Sequence, residues 1–172
     1  MYDKSVDMQT GNVLLDKCFQ FSLDIIKFVS VLEEKKKFVI ANQLMRSGTS
    51  IGANVHEAQN PESRADFIHK LKIAAKEADE TEYWLLLCKF AESYPFQEEL
   101  LDNLQNIKRI INRIINTAKT MPDCSVESLI PLIGAANHSL AHWHIGILAY
   151  LKDYERRNYH SRIRWTRRTL YG

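Results

Sequence analysis

Leu100, Leu104, Ile107, Ile111, Ile114 and Ala118 recur at alternating intervals of four and three residues. Only a helical backbone gathers such a row onto one face. A second row runs through Ala41, Leu44, Gly48, Ile51, Val55 and Ala58, and a third through Phe67, Leu71, Ala74, Ala78, Leu85 and Phe90. A fourth, near the start, holds Leu15, Phe19, Ile26 and Val29. The rows predict helices over residues 12–34, 38–59, 63–94 and 97–120, with no segment of strand-like alternation. The charged run "EEKKK", then Asn60-Pro61, then Tyr94-Pro95 punctuate them. Pro61 sits where a helix start tolerates it, and Ser63 or Asn60 can cap the third helix. Short links between long helices make sequence neighbours antiparallel. The expected fold is all-α, an antiparallel up-down four-helix bundle over residues 1–121, with an extra C-terminal segment over 122–172.

The second row passes through "RSGTSIGANVHEAQNPESR", residues 46–64, which is rich in glycine, serine and threonine. A phosphate-binding P-loop needs a preceding strand and a closing Gly-Lys-Ser/Thr, and this stretch has neither. Read as helix, Gln43, Arg46, Ser50, Asn54 and Glu57 form a polar stripe beside the apolar one. Two interior glycines each cost a helix about 1 kcal/mol relative to alanine. Close approach of another helix at Gly48 and Gly52 is the simplest compensation. Glu57 and Arg64 flank the turn at 60–62 at similar heights, which allows an ion pair. Arg46, Gly48, Gly52, Asn54, Glu57 and Arg64 are therefore the candidate helix-packing or subunit-interface residues.

Residues 42–87, "NQLMRSGTSIGANVHEAQNPESRADFIHKLKIAAKEADETEYWLLL", resemble a bacterial four-helix-bundle family. It includes proteins encoded in intervening sequences of large-subunit ribosomal RNA genes, and the accessory variability determinant of diversity-generating retroelements. "RSGTSIGANVHEA" carries the likeness most specifically, and the resemblance extends over roughly residues 12–121. It implies an up-down bundle that assembles into a ring-like homopentamer with no known enzymatic activity. The retroelement relatives bind nucleic acid and a reverse transcriptase through basic surface.

No catalytic constellation is legible. Di-iron bundles use Glu-x-x-His pairs, and the nearest approximation is a single Asp66–His69. His56-Glu57 opens like a zinc-protease motif, but Asn60 stands where the second histidine belongs. Cys18, Cys88 and Cys124 are scattered, without a CxxC pair, as in a reducing compartment. Cys18 and Cys88 lie among apolar positions and read as buried small hydrophobes. Tyr83-Trp84 reads as a core or interface aromatic pair. The opening "MYDKSVDMQTGN" lacks the apolar core of a signal peptide. The reading is a cytoplasmic protein that is no enzyme and uses no cofactor or metal.

Past residue 121 the composition changes. Residues 128–151 contain no Asp, Glu, Lys or Arg, a length that could span a bilayer. Pro131, Asn137 and three histidines argue against a span. His138 and His142 share one helix face, too few nitrogens for more than adventitious metal. Residues 152–172 then hold seven basic residues against two acids, while residues 1–151 hold 16 bases and 19 acids. Six of the ten arginines fall in that last segment. Arginines interleaved with aromatics suit a single-stranded RNA or DNA contact, neutralising phosphate and stacking on bases. Arg156, Arg157, Arg162, Arg164, Trp165, Arg167 and Arg168 are the candidate nucleic-acid contacts. The favoured function is a homo-oligomeric assembly or adaptor module. The alternative is a nucleic-acid-binding accessory protein.

Overall fold

Four helices carry the chain: α1 (Val13–Glu34), α2 (Phe38–Glu57), α3 (Arg64–Phe90) and α4 (Glu98–Thr120). They come from a computed structural model that describes residues 10–121. Local chemistry sets the helix ends. Asn12 caps α1 by accepting the Leu15 N–H at 3.2 Å, and Ser63 caps α3 by accepting the Asp66 N–H at 3.1 Å, each satisfying a donor that no helical carbonyl can reach. After α1 the Lys36 and Lys37 N–H groups bond back to the Glu33 and Leu32 carbonyls, both at 2.8 Å. Lys36 adopts φ 59° there. This is the Schellman closure, with lysine in the left-handed position usually given to glycine.

The helices form an antiparallel ring in which α2 packs on α1 and α3, and α4 packs on α3 and α1. Paired contacts show the direction. Arg46 and Ser47 meet Glu80 and Thr81, whereas Glu57, later on α2, meets Lys70, earlier on α3. On α3 and α4 the same reversal links Lys89 with Glu98 and Asp79 with Lys108. Asn12 at the start of α1 donates to Gln59 just past α2 at 3.0 Å. The expected up-down four-helix bundle is the observed one.

The core is filled by every row position expected on α2 and α4, and by Phe67, Leu71, Ala74, Ala78 and Leu85 of α3. Two expectations need correction. On α1 the buried line is Leu14, Cys18, Phe21, Ile25, Phe28, Val29 and Leu32. Of the expected row only Val29 is buried; Leu15 is half-buried, and Phe19 and Ile26 are exposed. Helix α1 carries two adjacent apolar lines, and spacing alone does not say which one faces inward. Helix α3 ends at Phe90 rather than 94, and Phe90 is 79% exposed. The backbone turns extended at Ala91, and Pro95 disfavours helical backbone at Tyr94. The following loop is pinned from outside. Lys37 Nζ donates to Ser93 Oγ at 3.0 Å and lies 4.4 Å from the Tyr94 ring centroid, while Lys89 lies 5.1 Å from that of Phe96.

Candidate functional site

The glycine- and serine-rich stretch forms most of α2, and its side chains serve three neighbours. Toward α1, the glycines permit close approach. A methyl group at Gly48 would stand 2.9 Å from Ile25 Cγ1 and 3.0 Å from Ile25 Cγ2. At Gly52 it would stand 3.3 Å from Ser22 Oγ and 3.6 Å from the Cys18 carbonyl oxygen. Gly48 therefore meets a stiff, fully buried β-branched side chain, whereas Gly52 meets a small hydroxyl at the edge of the same seam.

Toward α3 the contacts are polar. Ser47 and Thr81 are fully buried. Ser47 Oγ donates to the Gln43 carbonyl at 2.9 Å, and the Thr81 hydroxyl has two acceptors in reach, Ser47 Oγ at 2.9 Å and the Glu77 carbonyl at 2.8 Å. The pair is thus buried with its hydrogen-bonding capacity used. One step outward, Arg46 Nη2 lies 2.5 Å from Glu80 Oε1, which also accepts the Trp84 indole N–H at 3.3 Å. Trp84 in turn meets Tyr83 edge-on, with ring centroids 5.1 Å apart. Near the other end of the seam Lys70 Nζ lies 2.5 Å from Glu57 Oε2. The Glu57 hydrogen bond and charge hold the Lys70 ammonium above its ordinary pKa. Between these pairs in α3, Glu77 Oε2 is buried with no hydrogen-bond partner among the described residues.

Arg64 works at the third neighbour. Its Nε donates at 2.7 Å to the Ala118 carbonyl, and Nη2 reaches the same oxygen. A guanidinium on one of the last carbonyls of α4 satisfies an acceptor and meets the negative end of that helix. The sequence-level pairing of Glu57 with Arg64 is thus replaced by two contacts, Glu57–Lys70 and Arg64–Ala118. Lys70 lies on the helical line facing the α2 seam, a partner that spacing would have offered. Asn54 bonds within its own helix, its Nδ2 donating to the Ser50 carbonyl at 2.8 Å.

A second polar cluster ties α3 to α4. Lys108 Nζ lies 2.7 Å from Asp79 Oδ1 and contacts Glu82 Oε2, and Glu82 also accepts the Gln105 amide. Burial pushes the Lys108 ammonium toward neutrality, but hydrogen bonds and charge from Asp79 and Glu82 outweigh it and raise its pKa. Both described cysteines are free thiols with interior character. Burial raises Cys18 to about 12 and Cys88 to about 11, which suppresses the nucleophilic thiolate.

What the seams leave outside is apolar. Phe19, Leu23 and Ile26 on α1, Phe38 and Val39 opening α2, and Tyr83, Leu87 and Phe90 on α3 are exposed. Of these, the sequence places Phe19, Ile26 and Phe90 in the interior and Tyr83, with Trp84, in the core or at an interface; Phe19, Ile26, Tyr83 and Phe90 are all exposed in the single chain. Among the described residues no group of three or more His, Cys, Asp or Glu is arranged to hold a metal, and no helix is long and apolar enough to cross a membrane. His56 and His69 are exposed. The candidate nucleic-acid contacts (Arg156, Arg157, Arg162, Arg164, Trp165, Arg167 and Arg168), the uncharged 128–151 segment with its histidines, and Cys124 lie outside the described residues.

Comparison with known proteins points the same way as the bundle. No curated protein matches the chain. A solved structure of a protein of unknown function from the S23 ribosomal protein family of Bacteroides thetaiotaomicron VPI-5482 shares 43% identity, with a TM-score of 0.58. The match covers 62% of this chain and 97% of that one. The family described as 23S rRNA-intervening sequence protein matches residues 12–116, from the α1 cap into the last turns of α4. The chain therefore belongs to the 23S rRNA-intervening sequence protein family.

Proposed function

We propose that this protein is a non-catalytic homo-oligomeric helical module, built to hold several copies together and to present partners on the assembly. The observation that carries the reading is the bare apolar line Phe19, Leu23 and Ile26 along the outside of α1, with Ile26 43% exposed. Isolated exposed apolar residues are ordinary, but a contiguous line of large ones is the usual mark of a contact surface. The family resemblance supports five copies in a ring. Free buried thiols at Cys18 and Cys88 suit a reducing compartment, which supports a cytoplasmic setting. Sedimentation velocity of the full-length protein tests the assembly. The expected result is one species whose mass is a small integer multiple of the 20.0 kDa chain. A monomer at every concentration up to the highest soluble one would end the reading.

A second reading has its own support in the sequence: arginines alternating with aromatic residues over 152–172 suit a single-stranded nucleic acid. It predicts full-length binding to labelled single-stranded RNA or DNA that weakens steeply as salt rises. A variant with Arg156, Arg157, Arg162, Arg164, Arg167 and Arg168 changed to Ala should lose that binding. Salt-independent binding, or none at low salt, would remove nucleic acid from the account.

A further inference from the structure

We infer that the first apolar cluster past the bundle, Leu129, Ile130, Leu132 and Ile133, lies in its own chain over the bare α1 line and competes with a neighbouring copy for it. The competition rests on the assembly reading above; the contact itself does not.

The line suits an occupant of one kind. Phe19 and Leu23 are 38% exposed and Ile26 43%. Beside them Ser22 of α1 meets Gly52 of α2, and Met45 and Thr49 continue the Gly52 line along α2. None of these seven residues is charged. The two hydroxyls are already bonded within their own helices, Ser22 Oγ donating to the Cys18 carbonyl at 2.9 Å and Thr49 Oγ1 to the Met45 carbonyl at 2.6 Å. A phosphate would find no cation here, whereas an uncharged apolar stretch covers the face without stranding a polar group.

The chain supplies such a stretch, and the bundle fixes where it starts. Asn12 bonds Gln59, and Arg64 holds the Ala118 carbonyl. The start of α1 and the end of α4 therefore share one end of the bundle. Measured from that end, Phe19 stands about 9 Å along α1 and Ile26 about 20 Å. Residues 122–127 reach at most about 20 Å, enough to cross below α1, about 10 Å wide, and set Leu129 near Phe19. Residues 129–133 then span up to about 17 Å, against about 11 Å from Phe19 to Ile26. The other bare line is too far. Tyr83 stands about 28 Å along α3 from Arg64, past the reach of 122–127. No Asp, Glu, Lys or Arg occurs in residues 128–151, so covering the face with the opening of that run strands no ion. A short tether gives an effective concentration on the order of millimolar. A dilute chain thus covers its own α1 line, and a second copy has to displace that cover.

The contact is tested in the full-length chain by Leu23→Cys combined with Leu132→Cys, in a Cys124→Ser background. Cys18 and Cys88 are buried and stay silent. At concentrations too low for assembly, a short bismaleimide should join the introduced pair within one chain. Arg109→Cys, on the exposed side of α4 about as far from the same end, should not link to Leu132→Cys. No link at position 23, equal linking at both positions, or links only between chains would overturn the contact. The competition is read by sedimentation velocity on a full-length variant with Leu129, Ile130, Leu132 and Ile133 all changed to Ser. Removing a cover that is in place nine-tenths of the time should tighten self-association about tenfold, even though the chain has become more polar. Unchanged or weaker association would overturn the competition. If wild type and variant both stay monomeric, the assembly reading falls and the competition with it, while the cross-link still decides the contact.

Discussion

Helix α4 and helix α1 solve the same problem differently. On α4 one apolar line, Leu100 through Ala118, is buried throughout. The opposite side carries Glu99, Asp102, Asn106, Arg109, Asn112, Arg113 and Asn116. On α1 a buried line runs from Leu14 to Leu32, and a second apolar line beside it stays bare. A helix that has to satisfy only its own bundle needs one line. The second line on α1 exceeds what the four described helices cover.

The largest effect that would break this contrast comes from matched truncations. Ile111→Ala, in the fully buried α4 line, should cost about 2–5 kcal/mol of folding stability through lost burial and the cavity left behind. Ile26→Ala should cost under about 1 kcal/mol when urea unfolding is followed at concentrations too low for assembly. Equal costs would mean that the outer line is part of the core.

Next come the two glycines, which separate the inside of the α1–α2 seam from its edge. Gly48→Ala should destabilise by about 1–3 kcal/mol, because Ile25 is buried, branched and has nowhere to move. Gly52→Ala should fall within about 1 kcal/mol of wild type, since helix propensity gained in the α2 interior offsets a tight contact with one small hydroxyl. Thermal melts of the two variants side by side settle the order, and a reversed order would misplace the seam.

The smallest effect sharpens the inner line of α1 through its thiol. Above pH 9 an unfolded chain releases the Cys18 proton, while the folded chain keeps it up to about 12. The unfolded state then binds fewer protons, so stability is fully present below pH 9 and falls as pH rises, by at most about 1.4 kcal/mol per pH unit for this one group. Cys88, raised to about 11, acts in the same direction. Lys108 also loses its contribution as pH rises, but only above the ordinary lysine range, because its folded pKa is raised. Urea midpoints at pH 8, 9 and 10 should decline for wild type and decline less for Cys18→Ala. An unchanged slope in that variant would place the thiol in water.

How much of this was legible without coordinates differs by helix. The rows on α2 and α4 were read correctly because each has polar residues beside it, so periodicity selects one inward face. On α1 the competing lines are both apolar, and the row chosen was the neighbouring one. Phe90 is expected in the core as the last large apolar residue of the α3 row, yet it stands five residues past Leu85, off the buried line that runs on to Cys88, and the helix stops there. The glycine contacts were anticipated from their cost in a helix interior. The Ser47–Thr81 pair was missed, although Thr81 stands between Ala78 and Leu85 on a buried line, where a polar residue needs a partner on the facing helix.

Taken alone, the sequence determined the number and order of the helices, their antiparallel arrangement and most of the inward faces, since these follow from local spacing and link length. Tertiary structure alone decided which of two apolar lines on α1 is covered, and that Glu57 takes Lys70 while Arg64 takes the end of α4. It also decided that the bare lines on α1 and α3 stand diagonally. The physical reason is that a helix's own sequence specifies what lies on each face. Which face is shielded depends on where neighbouring helices stand, and that is a property of the packed whole.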